Sequence, residues 1–102
     1  MKGVFFTIDD ANYISSNYIS QWYDVSSYSN IEFIVNCDQN LNQKIEFAMD
    51  LNFDIIDTIN ISVTNNTTNL LQTLVKTRYA RFTLENILLT PCNLSSQAFY
   101  YN

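Results

Sequence analysis

The chain has 102 residues, of which 47% are hydrophobic and 15% aromatic, so it has enough apolar material for one folded domain over residues 1–102. Its net charge is −5, from five basic and ten acidic residues. Nucleic acids and anionic membranes are bound by clustered positive charge, so this balance argues against both as partners. The chain lacks a bilayer-spanning apolar run and the apolar stretch of a secretory signal, and we expect it to be soluble and unprocessed.

Alternating apolar and polar residues predict short strands separated by polar turns. The first strand covers residues 3–8, with Val4, Phe6 and Ile8 on one face, and the acidic stretch at 9–12 is expected to end it. The later segments with strand or polar aromatic patterns are residues 13–18, 20–25, 31–37, 44–49, 55–63, 70–75, 78–84 and 97–101.

Residues 31–54 form the central prediction, a hairpin of two alternating runs joined by a polar turn at 38–42. One face of each run is expected to be buried. The apolar residues on that face are Ile31, Phe33, Val35, Cys37, Ile45, Phe47 and Met49. A hairpin alone is marginal in water, so further strands and a second apolar layer are required.

The pattern of about seven or eight strands, with turns every eight to twelve residues or so, predicts an all-β fold, either an antiparallel sandwich or a barrel. Asn is frequent in the predicted turns, where it tolerates left-handed backbone conformations. The connection at 50–54 is expected to be tight, and Pro91 and Cys92 are expected in a loop. One helical turn is an alternative at 87–89.

The residue types present exclude several kinds of chemistry. With no His, the familiar serine and cysteine triads cannot form, and a single glycine excludes a glycine-rich phosphate loop. Cys37 and Cys92 alone cannot form a structural zinc site, which takes four ligands. The two cysteines are compatible either with a disulfide or with two free thiols. The apolar position of Cys37 favours a buried free thiol. We predict no enzyme activity, no cofactor and no metal.

Acidic residues are the remaining candidates for chemistry. Asp9 with Asp10, or Asp50 with Asp54, are candidate pairs for glycoside hydrolysis, but neighbouring strand residues point to opposite faces. Solvated turn acids are the favoured interpretation. The Asp-X-Asn-X-Asp motif also resembles the start of a calcium loop, but Ile55 stands where that loop requires Gly. An EF-hand is therefore excluded, and a weak surface calcium site stays an alternative.

Several motifs follow one another in a fixed order over residues 21–86. They are Trp-Tyr-Asp-Val-Ser-Ser-Tyr-Ser at 22–29, the strand at 31–35, Asp-Gln at 38–39, Ile-Glu-Phe-Ala-Met-Asp at 45–50, Phe-Asp at 53–54 and Arg-Tyr-Ala-Arg-Phe at 78–82. In this order the chain resembles small, jelly-roll-like β-sandwich modules in structural proteins of tailed phages and large DNA viruses. The resemblance implies a single antiparallel sandwich and a virion component. The strand at 78–82 is also similar to discoidin-type and galactose-binding-like sandwiches, which bind carbohydrate.

On this resemblance we predict a non-enzymatic virion structural protein, made in the host cytoplasm, that is a capsid, fibre or tail decoration component. It is expected to assemble with copies of itself or with other virion proteins. The alternative is a carbohydrate-binding module for host attachment, with a glycan as its ligand.

Aromatic side chains are the candidates for contact with a protein partner or a sugar ring. These candidates are Trp22, Tyr23, Tyr28, Tyr100 and Tyr101. Consecutive strand residues face opposite ways, so one of Tyr100 and Tyr101 is expected to face away from the core. Arg78 and Arg81 are expected to pair with acids on a sheet face rather than to bind a ligand.

Overall fold

The structure, a computed structural model, describes residues 2–13, 17–50, 52, 54–85 and 92–102. These residues form nine β-strands. In chain order the strands are β1 (Lys2–Tyr13), β2 (Tyr18–Ile19), β3 (Tyr23–Asp24), β4 (Asn30–Cys37), β5 (Leu41–Ala48), β6 (Ile55–Val63), β7 (Thr68–Leu74), β8 (Tyr79–Glu85) and β9 (Cys92–Tyr101).

The strands form two antiparallel sheets. The four-stranded sheet has the order β1-β9-β4-β7, and the five-stranded sheet has the order β2-β8-β5-β6 with β3 also paired to β8. The chain therefore pairs like one long hairpin rolled up on itself, with β1 on β9, β2 and β3 on β8, β4 on β7, and β5 on β6. This is a jelly-roll sandwich, as predicted. The strand number exceeds the expected seven or eight because β2 and β3, two residues each, share one edge of β8.

The core lies between the two sheets and is supplied by alternation along the strands. In β4, each odd-numbered residue is buried and each even-numbered residue is half-buried or exposed. Phe33, Phe47 and Phe82 are among the largest fully buried side chains, and the rings of Phe33 and Phe82 approach to 5.2 Å between centroids from opposite sheets. Full burial of a side chain of this size contributes about 1.5–3 kcal/mol.

The hairpin predicted over residues 31–54 is wrong in its pairing. Its two runs are the strands β4 and β5, but β4 pairs with β7 and β9, whereas β5 pairs with β6 and β8. The residues at 38–40 carry the chain from one sheet to the other. The apolar faces of the two strands are therefore on opposite layers of the core, which produces the same sequence alternation as a hairpin with one buried face.

A register shift in β1 and the end of β5 place residues where strict alternation does not predict them. In β1, a shift between Val4 and Phe6 leaves Val4 48% exposed, while Phe5 and Phe6 both pack against the core. An extra residue in one strand of an antiparallel pair, a β-bulge, has this effect. Met49, which was expected to be buried, lies just beyond the end of β5 and is 66% exposed.

The bounds of the first and last strands also differ from expectation. β1 continues through the acidic residues at 9–12, because β9 pairs with it as far as Tyr13. Cys92, expected in a loop, is the first residue of β9 and the partner of Tyr13. Outside the described residues lie the expected helical turn at 87–89, the loop position of Pro91, positions 14–16 of the segment at 13–18, and positions 51 and 53 of the connection at 50–54.

Asn66 confirms the role predicted for Asn in turns. It lies between β6 and β7, and within the described residues it is the non-glycine residue with a positive φ, 57°. Its N–H donates a 2.8 Å hydrogen bond to the carbonyl of Cys37, which fixes the turn against the end of β4. Asn adopts this left-handed conformation more readily than other residues with a side chain.

Candidate functional site

The structure separates the five aromatic residues that were predicted to make contacts. Tyr23, Tyr28 and Tyr100 pack against the core. Tyr101 lies on the outer face of the four-stranded sheet, and Trp22 lies against Arg81 on the outer face of the five-stranded sheet. The expectation that one of the two consecutive C-terminal tyrosines faces away from the core is confirmed. A partner contact by any of the five stays a prediction.

Rings from both sheets form an aromatic cluster in the core. Its members are Phe5, Phe6, Tyr18, Tyr23, Tyr28, Phe33, Phe82 and Tyr100. The Phe5 ring lies 4.7 Å from that of Tyr23 and 4.8 Å from that of Tyr100, measured between centroids, and Tyr28 stacks on Tyr100 at 3.9 Å. Contacts of this kind stabilise a core beyond the area they bury, so these rings have a packing role within the chain.

Burial of the aromatic cluster changes the acidity of its tyrosines. Desolvation, followed by the nearby Tyr23, raises the pKa of Tyr18, and desolvation also raises the pKa of Tyr23. The pKa of Tyr28 is raised by desolvation and then by the stacked Tyr100. Each of these hydroxyls is therefore held in its neutral form to a higher pH than in an unfolded chain.

Gly3 makes room for the ring of Tyr100. The two residues are cross-strand partners in β1 and β9, and a Cβ at position 3 would lie 2.2 Å from the ring. Phe5 and Tyr28 contact the same ring and restrict its movement. Position 3 therefore takes a residue without a side chain for reasons of packing.

The outer face of the four-stranded sheet carries apolar and aromatic side chains from all four strands. These side chains, which we call the apolar face, are Val4, Ile34, Leu70, Leu74, Phe99 and Tyr101. The strand register places Val4 beside Phe99 and Ile34 beside Leu70, and Leu74 on the edge strand is 68% exposed. Contiguous exposed apolar side chains mark interaction sites, and on this face the register also places Asn30, Glu32, Gln72 and Gln97 among them.

Gln72 positions the aromatic edge of the apolar face. Its Nε2 donates a 2.9 Å hydrogen bond to the Tyr101 hydroxyl and a 3.0 Å hydrogen bond to Oε1 of Glu32. The three side chains come from β7, β9 and β4, so the bonds join neighbouring strands across the face. They hold Tyr101 in one orientation.

Charge is distributed unevenly between the two outer faces. On the five-stranded sheet, two ion pairs with nitrogen-to-oxygen distances of 2.6 and 3.1 Å join basic and acidic side chains of neighbouring strands. These pairs are Lys44–Glu85 and Arg81–Glu46. On the outer face of the four-stranded sheet, the charged side chains among those described are Glu32 and Asp9. The described side chains of this face therefore carry fewer charges than those of the other outer face.

The arginines predicted to pair with acids do so. Arg81 Nε lies 3.1 Å from Glu46, and its Cζ lies 4.6 Å from the centroid of the Trp22 ring. Arg78 Nε lies 3.2 Å from Asp24. The prediction is confirmed for both residues, and Trp22 is occupied on one side by the cation.

A shallow depression of about 390 Å³ lies where the end of β5 meets the start of β8. Its lining residues are Met49, Asp50, Asn52, Arg78 and Tyr79. Asp50, Asn52 and Arg78 are exposed polar residues, a set that can hydrogen-bond to sugar hydroxyls. Tyr79 is only 8% exposed, so the depression presents little of an aromatic ring for stacking.

The acidic residues considered for hydrolysis are exposed. Asp9 and Asp10 are neighbours within β1, and Asp10 Oδ1 accepts the N–H of Asn12 at 2.8 Å. Asp50 Oδ1 accepts the N–H of Asn52 at 3.0 Å in the same way. Both contacts join residues two positions apart, and each engages one carboxylate oxygen with the nearby backbone.

A group of possible metal ligands joins two cysteines and one acid. The ligand atoms of Cys37, Asp38 and Cys92 all lie within 4.8 Å of one another. Both cysteines are free and buried, as was predicted for Cys37. Burial, followed by the neighbouring Cys37, raises the pKa of Cys92 to about 11. Sequence reasoning missed this group because the Cys-Asp adjacency is a weak signal and Cys92 enters only through the pairing of β4 with β9.

Comparison of the chain with protein-family models, curated proteins and solved structures finds no significant match. Within the described residues, no helix has the length and apolar character to cross a membrane. A two-sheet sandwich hosts many unrelated functions, so the function has to be argued from the surfaces of this molecule.

Proposed function

We propose that this chain is a non-enzymatic structural protein of a virion, a minor capsid, fibre or tail decoration component. It acts by assembling with copies of itself through the apolar face, and the assembly then meets other virion proteins. The observation that carries the proposal is the set of apolar and aromatic side chains that all four strands place on one outer sheet face, where the charged side chains among those described are Glu32 and Asp9.

The fold and the motifs support the viral part of the proposal. Jelly-roll sandwiches are common in viral capsid and lectin domains. The turn at 24–29 and the strand at 78–82 resemble those of virion modules and belong to the same sandwich. Because one fold serves many functions, we infer assembly from the apolar face and not from the fold.

The apolar face has the composition that protein interfaces use. Val4, Leu70 and Leu74 would leave water on assembly, and each apolar side chain of this size contributes about 1.5–3 kcal/mol when fully buried. Phe99 and Tyr101 add aromatic rings, a residue type enriched at the centres of interfaces. Since Gln72 already orients Tyr101, less side-chain entropy is lost when the partner docks.

The depression lined by Met49, Asp50, Asn52, Arg78 and Tyr79 favours a second candidate function, a carbohydrate-binding module. Its exposed acid, amide and guanidinium groups suit sugar hydroxyls. Sugar-binding sites gain much of their affinity from rings that stack on open aromatic faces, and the buried Tyr79 supplies little of that. Assembly is therefore the function that the geometry supports best.

Light scattering across a concentration series tests the proposal, because it measures the mass of the particle in solution. We compare the wild-type chain with Leu74→Glu on the apolar face and with Ile19→Glu on the five-stranded sheet. Ile19 is 59% exposed and pairs with Thr83, so the control adds the same charge at a similarly exposed apolar position on the other sheet. We expect oligomers for the wild type and for Ile19→Glu, and a monomer for Leu74→Glu.

A wild-type monomer at every concentration would overturn self-assembly as the main role. In that case, glycan binding that is lost in Arg78→Ala would support the carbohydrate-binding module. Equal loss of assembly in Leu74→Glu and Ile19→Glu, with both variants folded by circular dichroism, would show that assembly does not use the apolar face.

A further inference from the structure

The pairing of β4 with β9 brings Cys37, Asp38 and Cys92 together at one end of the sandwich. Cys37 ends β4 and is the partner of Leu94, so Cys92 lies two residues further along β9 on the same face. The two cysteine side chains are buried, with 1% and 2% exposure, and Asp38 is exposed. The group therefore has two sulfur ligands inside the molecule and one oxygen ligand on the solvent side.

Hydrogen bonds hold the group in place. The N–H of Asp38 donates to the carbonyl of Asn93 at 3.3 Å, and the N–H of Asn93 donates to Asp38 Oδ1 at 3.2 Å. The thiol of Cys92 donates to the carbonyl of Tyr13 at 3.3 Å. Asp38 is thereby tied to the backbone of β9, so little rearrangement is required of it. The bond of Cys92 to Tyr13 uses the thiol proton and is given up when that proton is released.

The spacing suits a bridging metal ion better than a disulfide. Cys37 and Cys92 are diagonal neighbours on paired strands, and diagonal Cα atoms lie about 7–8 Å apart, beyond the usual reach of a disulfide. A tetrahedral zinc ion with bonds of about 2.3 Å to sulfur holds two sulfurs about 3.8 Å apart. The ligand atoms already lie within 4.8 Å of one another, so side-chain rotations of modest size satisfy that geometry.

We propose that Cys37, Asp38 and Cys92 form a binding site for a thiophilic divalent cation, Zn²⁺ in the first place, with water in the fourth position. Thiolate ligands select zinc over hard cations such as Mg²⁺ and Ca²⁺. Each thiol releases its proton when the ion binds, so one ion displaces two protons. The bound ion would cross-link the end of β4 to the start of β9, a role independent of the apolar face.

Titration of the fully reduced protein with Cd²⁺ tests the site, because cadmium binds thiolates and produces a charge-transfer absorbance in the ultraviolet. We expect one Cd²⁺ per chain, displacement by Zn²⁺, and loss of the absorbance in Cys37→Ser and in Cys92→Ser. Asp38→Asn is the decisive variant because Asp38 is exposed and its replacement leaves the core intact. It should weaken Cd²⁺ binding about tenfold or more, whereas the matched control Asp50→Asn should leave it unchanged.

Three results would overturn the site as proposed. The first is a folded, reduced wild-type chain that shows no absorbance change at one equivalent of Cd²⁺. The second is an Asp38→Asn variant that binds as tightly as the wild type, which would remove Asp38 from the ligand set. Formation of an intramolecular Cys37–Cys92 disulfide in air, with the fold unchanged by circular dichroism, would also replace the metal interpretation by a redox one.

Discussion

At position 3, the need for glycine comes from a neighbouring ring and not from the backbone, since no glycine in the described chain has a positive φ. A Cβ there would lie 2.2 Å from the ring of Tyr100, which Phe5 and Tyr28 also contact. Gly3→Ala is therefore expected to lower the free energy of unfolding by about 1–3 kcal/mol, the usual cost of overpacking. Denaturant unfolding measures the change.

Tyr100→Ala supplies the control for that prediction. Once the ring is absent, the added methyl group no longer meets its nearest atoms, so Gly3→Ala should cost less in the Tyr100→Ala background than in the wild type. The difference between the two costs is the interaction energy of the pair. Equal costs in both backgrounds would show that the methyl group acts elsewhere.

The tyrosines of the aromatic cluster predict a loss of stability in alkali. Desolvation raises the pKa of Tyr18 and Tyr23 in the folded chain, so the folded state keeps protons that the unfolded chain has released. Their contribution is complete below the unfolded pKa, about 10, and is lost as pH rises through the folded value. Tyr18→Phe keeps the ring and removes the titrating hydroxyl, so its free energy of unfolding should fall less steeply above pH ~10. Parallel curves for the wild type and the variant would contradict this cause.

At the scale of single strands, the face on which a ring lies decides its contribution to stability. Phe82 in β8 is fully buried, and Phe99 in β9 lies on the outer face. Phe82→Ala should lower the free energy of unfolding by about 3–5 kcal/mol, and Phe99→Ala by about 1 kcal/mol or less. Denaturant unfolding of the two variants compares the same substitution, Phe to Ala, at a buried position and at an outer position. Similar losses would contradict the assignment of Phe99 to the outer face.

The buried face of a strand is predictable from sequence, but the strands with which it pairs are not. Alternation marks the buried side of β4 correctly because side chains in a strand always change face with a period of two. The same alternation arises whether two strands pair in one sheet or oppose each other across a core. The partners of β4 come from residues 68–74 and 92–101, far along the chain, so local pattern carries no information about them.

Bulges and contacts account for what sequence reasoning missed at the candidate site. A single extra residue puts Val4 outside and Phe5 inside, and no residue type in that run marks the place. Tyr28 and Tyr100 were candidates for partner contact because of their residue type, but their rings stack on each other inside the molecule. The position of Leu74 on the apolar face was not predictable, because it depends on the register of β7 against β4.

At the scale of the described molecule, the resolved ion pairs lie outside the apolar face, and exposed apolar side chains also occur elsewhere, at Ile19, Met49, Ile55 and Ile56. The described lysines and arginines with resolved partners, Lys44, Lys76, Arg78 and Arg81, each pair with an acid at 2.6–3.2 Å. These pairs neutralise positive charge locally and leave the molecule with its net charge of −5. Two copies of the chain therefore repel each other at long range. This repulsion opposes contact least at the apolar face, where few of the described side chains are charged.

Self-assembly through the apolar face should therefore become stronger as salt is added. The Debye length falls from about 10 Å at 0.1 M salt to about 3 Å at 1 M, which screens the repulsion between copies without affecting the burial of Leu70 and Leu74. Light scattering at both salt concentrations should show a lower dissociation constant at 1 M, and Leu74→Glu should stay monomeric in both. Weaker assembly at high salt would instead mean that ion pairs join the copies. The interface would then lie on the five-stranded sheet, which carries the paired charged residues.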